Sequence, residues 1–175
     1  MTADTTKKQH AQDGHDAQTL IFRRLEQLNA IGKALSNERD IGRLLEKILV
    51  AAKEITRADG GTLYRVTPDE KKLRFEILHN DSLKVKLGGT SGNPVTYPDL
   101  PLYGENGEQN NSLVAAYAAL HAETVNIDDA YATGIFDFSG TRKFDERTGY
   151  RSRSFLTVPM KDHENTVIGV LQLIN

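Results

Sequence analysis

Two pairs of adjacent carboxylates are the first residues of this sequence that could carry out acid–base chemistry. Asp128 and Asp129 form one pair, and Asp145 and Glu146 form the other. A general acid or base needs a pKa tuned by burial or by neighbouring charges, whereas adjacent carboxylates in polar loop segments are usually solvated or cap a turn. We therefore expect both pairs to have structural roles rather than catalytic ones.

The sequence also lacks the residue patterns that metal-ion or nucleophilic catalysis requires. His79, His121 and His163 fall in separate predicted elements, so the spacing of a metal-ligand cluster is missing. The chain contains no cysteine, which excludes disulfides, thiolate metal ligands and a cysteine nucleophile. The glycine-rich run 88–92 is followed by Asn-Pro instead of a helix with a lysine, so we interpret it as a mobile flap and not as a phosphate-binding loop. We expect the chain not to be an enzyme.

Three polar side chains near the second carboxylate pair can form hydrogen bonds, either within the fold or with a bound molecule. Asp145, Thr148 and Ser152 lie shortly before the apolar run Ser154–Met160. Their carboxylate and hydroxyl groups can donate and accept hydrogen bonds with a small polar ligand. Structural roles remain open, because Asp145 can cap a turn and Thr148 with Gly149 can set the loop geometry.

The bulk properties point to a single domain with a tail. The 175 residues can bury a sizeable core without disulfides or metals. A net charge of −2 makes nucleic acid and anionic membranes poor partners. The mean hydropathy is −0.48, and no apolar run reaches the length that a bilayer requires. The first 16 residues have no apolar signal-peptide core, so we expect a cytoplasmic location, with residues 1–16 as a disordered tail.

The segment 17–37 is predicted to form a helix with one apolar face. Ile21, Leu25, Leu28 and Leu35 alternate at intervals of four and three residues, with Gly32 where a further apolar residue would stand. This seam fits two interpretations equally well. The helix either packs on its own domain or dimerises with a second copy of the chain.

The rest of the chain is predicted to be a mixture of helices and antiparallel strands. After a capping segment that ends at Asp40, an amphipathic helix runs to about Arg57, where Asp59, Gly60 and Gly61 stop it. A further helix is predicted at Ser112–His121, and the segments 88–111 and 128–150 are predicted to be irregular. The predicted strands are Thr62–Thr67, Leu73–Leu78, Thr124–Ile127, Ser154–Met160 and Val167–Ile174. This order indicates an α+β domain with helices on a mostly antiparallel sheet.

Several separate segments resemble the GAF domains of cyclic-nucleotide phosphodiesterases and of bacterial proteins that carry HD-type phosphohydrolase domains. The resemblance covers residues 17–175 and rests on the following stretches: Leu28–Leu35, Ala58–Tyr64, Thr124–Tyr131, Thr148–Ser154 and Val167–Asn175. It implies a central antiparallel sheet with N-terminal helices on one face and a loop-covered ligand pocket on the other. Asn175 matches the first residue of the motif that opens the family's C-terminal closing helix, and that helix is absent from the sequence.

The resemblance also assigns residues to the pocket. Asp145, Thr148 and Ser152 match positions that contact the purine in cyclic-nucleotide-binding members. Gln172 stands where a carboxylate is expected, and Thr141 where a tyrosine is expected. The loss of that aromatic platform removes stacking area and weakens the expectation of a nucleotide ligand.

The function that the resemblance implies is that of a sensory module in a bacterial signal-transduction protein. We expect it to bind a small ligand, with nucleotides among the candidates. As a homodimer it would relay occupancy to an output domain of the parent chain, such as an HD phosphohydrolase or a cyclase. The alternative is a dimerisation or interaction module with a vestigial pocket. A third class, the GAF-type methionine sulfoxide reductases, depends on cysteines that this chain does not have.

Overall fold

The computed structural model of the protein describes residues 19–21, 23 and 25–175. The predicted disordered tail, residues 1–16, lies outside the described residues. The chain divides into two compact units, and the boundary between them falls after Arg39. Among the described residues, no helix is both long and apolar enough to cross a membrane.

The described part of the first unit forms helix α1, with helical backbone at residues 19–21, 23 and 25–36. The predicted helix is therefore present, although residues 17 and 18 lie outside the described part of the chain. Four of its described large apolar side chains are exposed. Leu20, Ile21, Leu25 and Leu28 are each between 51% and 57% exposed. Leu35, the last residue of the predicted seam, is half-buried, so the exposed apolar stripe of α1 consists of these four residues.

The second unit opens with helix α2, Ile41–Thr56. Asp40 caps it, because its carboxylate accepts a hydrogen bond of 2.8 Å from the backbone N–H of Arg43. The helix ends at Arg57, whose backbone is left-handed with φ of 60° and whose N–H donates to the carbonyl of Lys53. The predicted bounds of this helix are confirmed.

The prediction that Gly60 and Gly61 stop helix α2 is wrong. Both glycines belong to the first strand, β1, Gly60–Val66. A Cβ atom on Gly61 would lie 2.7 Å from Leu49 Cδ1 of α2 and 3.1 Å from Leu173 Cδ2. Gly61 is therefore needed for close packing of the helix on the sheet and not for ending the helix.

The described residues contain a seven-stranded antiparallel sheet, as the predicted α+β class requires. Its strand order is β3-β2-β1-β7-β6-β5. Strand β4 pairs with the first residues of β2, and β3 pairs with the last ones. The remaining strands are β2 Lys72–Asn80, β3 Val85–Gly88, β4 Leu100–Pro101, β5 Val125–Ile127, β6 Phe155–Lys161 and β7 Val167–Ile174. Two further helices, α3 Val114–His121 and α4 Ser139–Thr148, interrupt the strand sequence.

The two faces of the sheet bury different side chains. On β7, Leu171 and Leu173 pack with Leu49 of α2, whereas the preceding residue Val170 packs on the other face with Tyr64, its register partner on β1. That second face is covered by α3 through Ala115, Ala116 and Ala119. A third cluster joins α3 to β5, β6 and the start of α4, and consists of Val114, Ile127, Ala130, Phe138 and Phe155.

Helix α4 lies in the segment that was predicted to be irregular, and this prediction is wrong. Its sequence has one large apolar side chain, Phe144, so it carries no apolar periodicity. Residues at its two ends set its bounds instead. The N–H of Ser139 donates to Asp137 Oδ1 at 2.8 Å, and Gly149 closes the last turn with φ of 70°. Strands β3 and β4 were also missed, because both are short.

Candidate ligand-binding cleft

A cleft opens between the sheet and helices α3 and α4. It has two lobes, which we call the β1 lobe, with a volume of about 200 Å³, and the α3 lobe, with a volume of about 430 Å³. Both lobes are lined by Tyr64, Phe75, Tyr97, Gly140, Thr141, Phe144, Phe155 and Gln172. Because so many lining residues are shared, the two lobes form one continuous cleft.

Aromatic rings form much of the wall. The ring of Phe75 lies 4.7 Å from that of Tyr64 and 5.5 Å from that of Tyr97, measured between centroids. Phe144 of α4 and Phe155 of β6 line the cleft from other directions. Tilted rings at these separations attract one another and hold a rigid apolar surface. Such a wall suits a flat, largely apolar ligand.

The floor of the cleft carries a buried polar group, the amide of Gln172 on β7. Its Nε2 donates to Thr157 Oγ1 at 3.1 Å, and its Oε1 accepts from the Tyr64 hydroxyl at 3.3 Å. Burial raises the pKa of Tyr64 above its usual range, so this hydroxyl remains protonated and can donate. The floor is therefore uncharged and its polar groups are held in place.

Three of the five predicted site residues line the cleft: Thr141, Ser152 and Gln172. The Thr141 hydroxyl has no hydrogen-bond partner among the described residues, so its donor and acceptor are available. The Ser152 hydroxyl donates to Asp145 Oδ1 at 2.8 Å, which leaves its lone pairs for a ligand. A role of these side chains in ligand binding stays a prediction.

Asp145 and Thr148 are not among the lining residues of either lobe. Asp145 is 4% exposed, and its carboxylate accepts hydrogen bonds from the Tyr131 hydroxyl at 2.7 Å and from the Ser152 N–H at 2.8 Å. Thr148 is exposed, and its hydroxyl donates to the carbonyl of Phe144 within α4. Asp145 thus lies behind Ser152 and fixes its position.

A cation–π contact reinforces the same loop. The Arg151 guanidinium lies 3.5 Å from the centre of the Tyr131 ring, and Arg142 of α4 lies 5.4 Å from it. Since the Tyr131 hydroxyl also donates to Asp145, the ring joins the loop before α4 to the loop after it. The position of Ser152 is therefore stabilised by Asp145 and by the contact between the neighbouring Arg151 and Tyr131.

The end of the β1 lobe is closed by a hydrogen-bond network around Tyr150. Its hydroxyl donates to Asp59 Oδ2 at 2.6 Å and accepts from Asn175 Nδ2 at 3.0 Å. Burial and the bond to Asp59 raise the pKa of Tyr150 to about 12. The Asn175 side chain also accepts from the N–H of Arg153 at 2.7 Å. This network holds the loop between α4 and β6 against the start of β1.

The glycine-rich run 88–92, interpreted as a flap, contacts helix α2. The N–H of Thr90 donates to Glu46 Oε2 at 3.0 Å, and the Thr90 hydroxyl donates to the same oxygen. His79 lies close to the same carboxylate and is 3% exposed. Its Nε2 is 3.7 Å from Glu46 Oε1 and has no hydrogen-bond partner in the described part of the chain. Burial lowers the pKa of His79, although Glu46 acts in the opposite direction.

His79 predicts a pH dependence of stability. The pKa of His79 in the folded protein lies below the usual value of about 6.5. Below that pH the unfolded chain therefore binds a proton at His79 that the folded chain does not yet bind. The free energy of unfolding should therefore fall as the pH drops below about 6.5, and this contribution should stop changing below the folded pKa. Urea denaturation of His79→Gln should lack this part of the slope. The exposed control His163→Gln should keep it, and an unchanged slope in His79→Gln would contradict the assignment.

Known proteins resemble this chain in sequence and in fold. A GAF domain family model matches residues 40–175. A cGMP-specific 3′,5′-cyclic phosphodiesterase of Drosophila sechellia is 30% identical over 146 residues, which cover 81% of this chain and 11% of that protein. The chain therefore spans about a tenth of the length of this curated relative.

Solved structures share the fold at low sequence identity. The GAF domain of an Acinetobacter phosphoenolpyruvate-protein phosphotransferase superposes with a TM-score of 0.60 at 17% identity, covering 87% of this chain and 77% of that one. A free methionine-R-sulfoxide reductase of Neisseria meningitidis superposes with a TM-score of 0.57 at 18% identity, covering 85% and 70%. The resemblance noted in the sequence is confirmed: this chain belongs to the GAF domain family.

Proposed function

We propose that this domain is a sensory module that binds a small ligand reversibly in the cleft and relays its occupancy to an output domain. The observation that carries the proposal is the cleft itself. Its wall is aromatic, its floor is an uncharged amide held by Thr157 and Tyr64, and the Thr141 hydroxyl is unpaired within the described residues. Binding sites commonly combine an apolar wall with a few oriented polar groups.

A planar heterocyclic ligand fits these features, with a nucleotide as the leading candidate. The relatives carry the name of cGMP-specific phosphodiesterases, which supports a cyclic nucleotide. Thr141 stands where an aromatic platform was expected, but Phe144, three residues further along α4, and Tyr97 from another segment bring rings to the same cleft. Stacking area is therefore still present.

The relay would run through a homodimer. The exposed apolar stripe of α1 supports association with a second copy of the chain, because isolated apolar stripes of this kind are normally covered. A ligand can shift an output domain only through different affinities for two arrangements of the dimer. The output domain, an HD phosphohydrolase or a cyclase of a bacterial cytoplasmic signalling protein, would lie elsewhere in the parent chain. The α1 stripe equally supports the second candidate, a dimerisation module with a vestigial pocket.

A thermal-shift screen tests ligand binding. A nucleotide or metabolite present at about a hundred times its dissociation constant should stabilise the domain by about 2.7 kcal/mol. The variant Thr141→Ala should weaken that binding about fivefold, since it removes a neutral hydrogen bond of about 1 kcal/mol. The matched control Thr166→Ala makes the same change in the exposed β6–β7 turn and should bind as the wild type does. If no compound stabilises the domain, the dimerisation module is the better account.

A further inference from the structure

The imidazole of His79 is a buried basic group that the ligand-binding proposal leaves unused. Its Nε2 is the one buried side-chain nitrogen or oxygen without a hydrogen-bond partner among the residues that the structure describes. It lies 3.7 Å from Glu46 Oε1, which is beyond hydrogen-bond distance. A buried polar atom without a partner costs free energy. Any local opening that lets water reach the ring therefore regains part of that cost.

Charged groups face His79 from three elements. Helix α2 contributes Glu46 and Lys53, strand β3 contributes Lys86, and the β2–β3 turn contributes Asp81. Lys53 Nζ lies 2.8 Å from Asp81 Oδ1, so these two charges largely offset each other. Burial has the largest influence on the pKa of His79 and lowers it, while Glu46 and Lys86 act in opposite directions. The folded site therefore resists protonation of the ring.

Glu46 also fastens the segment that follows β3, residues 89–98, which we call the strap. The N–H of Thr90 donates to Glu46 Oε2 at 3.0 Å, and the Thr90 hydroxyl donates to the same oxygen. A Cβ atom on Gly89 would lie 3.2 Å from Ile77 Cδ1, so the strap begins against the sheet two residues from His79. The carboxylate that holds the strap is thus the one that faces the unpartnered imidazole nitrogen.

The strap is the element near His79 that can open at the lowest cost. Residues 89–98 contain no helix or strand, and none of them is buried. They also contribute no charged side chain. Helix α2 and strand β2, in contrast, bury Leu49 and Ile77 in the core. Segments with few buried apolar contacts open locally far more often than core elements do.

We propose that His79, Glu46 and Thr90 form a proton-sensitive latch that opens the strap at mildly acidic pH. Hydrogen bonds from Thr90 hold the pKa of Glu46 below its usual value, so the carboxylate stays ionised and the imidazole is the group that titrates. In the open strap water reaches the ring, whose pKa then approaches the ordinary value of about 6.5. Acid therefore favours the open form, by up to about tenfold per pH unit below 6.5, until the closed form is itself protonated.

The latch would also affect the cleft. Near its other end the strap carries Tyr97, whose ring lies 5.5 Å from that of Phe75 in the cleft wall. Phe75 packs on the face of the sheet opposite to α2, so the strap passes from one face to the other. Opening the latch removes the fastening of this segment to α2. The inference itself does not depend on what the cleft binds.

Hydrogen-exchange NMR of the Thr90 amide at pH 7.5 and pH 5.5 tests the latch. After correction for the intrinsic exchange rate, Thr90 protection should fall by up to about tenfold at the lower pH. The Ser139 amide is a matched control, because it donates to the Asp137 carboxylate at 2.8 Å and should keep its protection. Thr90 protection should not depend on pH in His79→Gln, whereas the exposed control His163→Gln should behave as the wild type does.

Three results would overturn the latch. Thr90 protection could change by less than about twofold, fall equally at Ser139, or still fall in His79→Gln. Protection of Thr90 equal to that of the core amide of Leu63 would also overturn it, because exchange would then need global unfolding. If His79→Gln does not fold, the wild type supplies the test. The midpoint of the His79 ring-proton shift should coincide with the loss of Thr90 protection, and separate midpoints would contradict the proposal.

Discussion

Replacing Asp145 by alanine is expected to lower the free energy of unfolding by about 3 kcal/mol. The buried carboxylate accepts hydrogen bonds from the Tyr131 hydroxyl and from both the N–H and the hydroxyl of Ser152. Alanine would leave the Ser152 N–H unpaired in a residue that is 2% exposed. Each unpaired buried donor costs about 1–3 kcal/mol, so the loss exceeds that of an ordinary surface substitution.

Urea denaturation measures this effect, with two variants as controls. Asp145→Asn keeps one carbonyl acceptor and should lose less stability than Asp145→Ala. Glu146→Ala removes a neighbouring carboxylate that is exposed, and should change stability by less than about 0.5 kcal/mol. An Asp145→Ala variant as stable as Glu146→Ala would show that the loop around Ser152 is held by other contacts.

The double variant Leu25→Asp with Leu28→Asp is expected to convert a dimer into a monomer. Both leucines are 51% exposed on α1, and covering each by a second copy would contribute up to about 1.5–3 kcal/mol. Two carboxylates in their place would be buried without partners in each chain. Light scattering should give about twice the chain mass of 19.4 kDa for the wild type and a single chain mass for the variant.

The control for the dimer is Gln27→Asp with Ala30→Asp. These residues keep the same spacing and charge change but lie on the opposite side of α1 from the leucines. The control should remain a dimer. A wild type that is monomeric at tens of micromolar, or a leucine variant that stays dimeric, would contradict association through the α1 stripe.

Helix α2 and strand β7 could be predicted from the sequence, and their predicted bounds agree with the structure. The apolar residues of α2 repeat with the period of one packed helix face. Strand β7 is buried on both faces and is therefore a nearly continuous apolar run. Helix α4 could not be predicted in this way, since its one large apolar residue gives no period. The signals that mark it are Asp137 before its first turn and Gly149 after its last.

The candidate site was predictable only in part. The family resemblance, and no local pattern, pointed to Thr141, Ser152 and Gln172, and the aromatic wall is assembled from residues far apart in sequence. Phe75, Tyr97 and Phe144 lie on three separate segments, and no spacing rule relates them. The part played by Asp145 was equally hidden, because its partner Tyr131 is fourteen residues away. Long-range contacts of this kind leave no local pattern.

The central claim is that the cleft between the sheet and α4 binds a small ligand, and a cleft-filling variant tests it most directly. Thr141 lines both lobes, so Thr141→Trp should occupy the volume that a ligand needs. Thr166→Trp places the same side chain in the exposed β6–β7 turn as a control. We predict that calorimetric titration with the tighter of cAMP and cGMP shows saturable binding to the wild type and to Thr166→Trp, and none to Thr141→Trp. Equal affinity in all three proteins would contradict binding in this cleft.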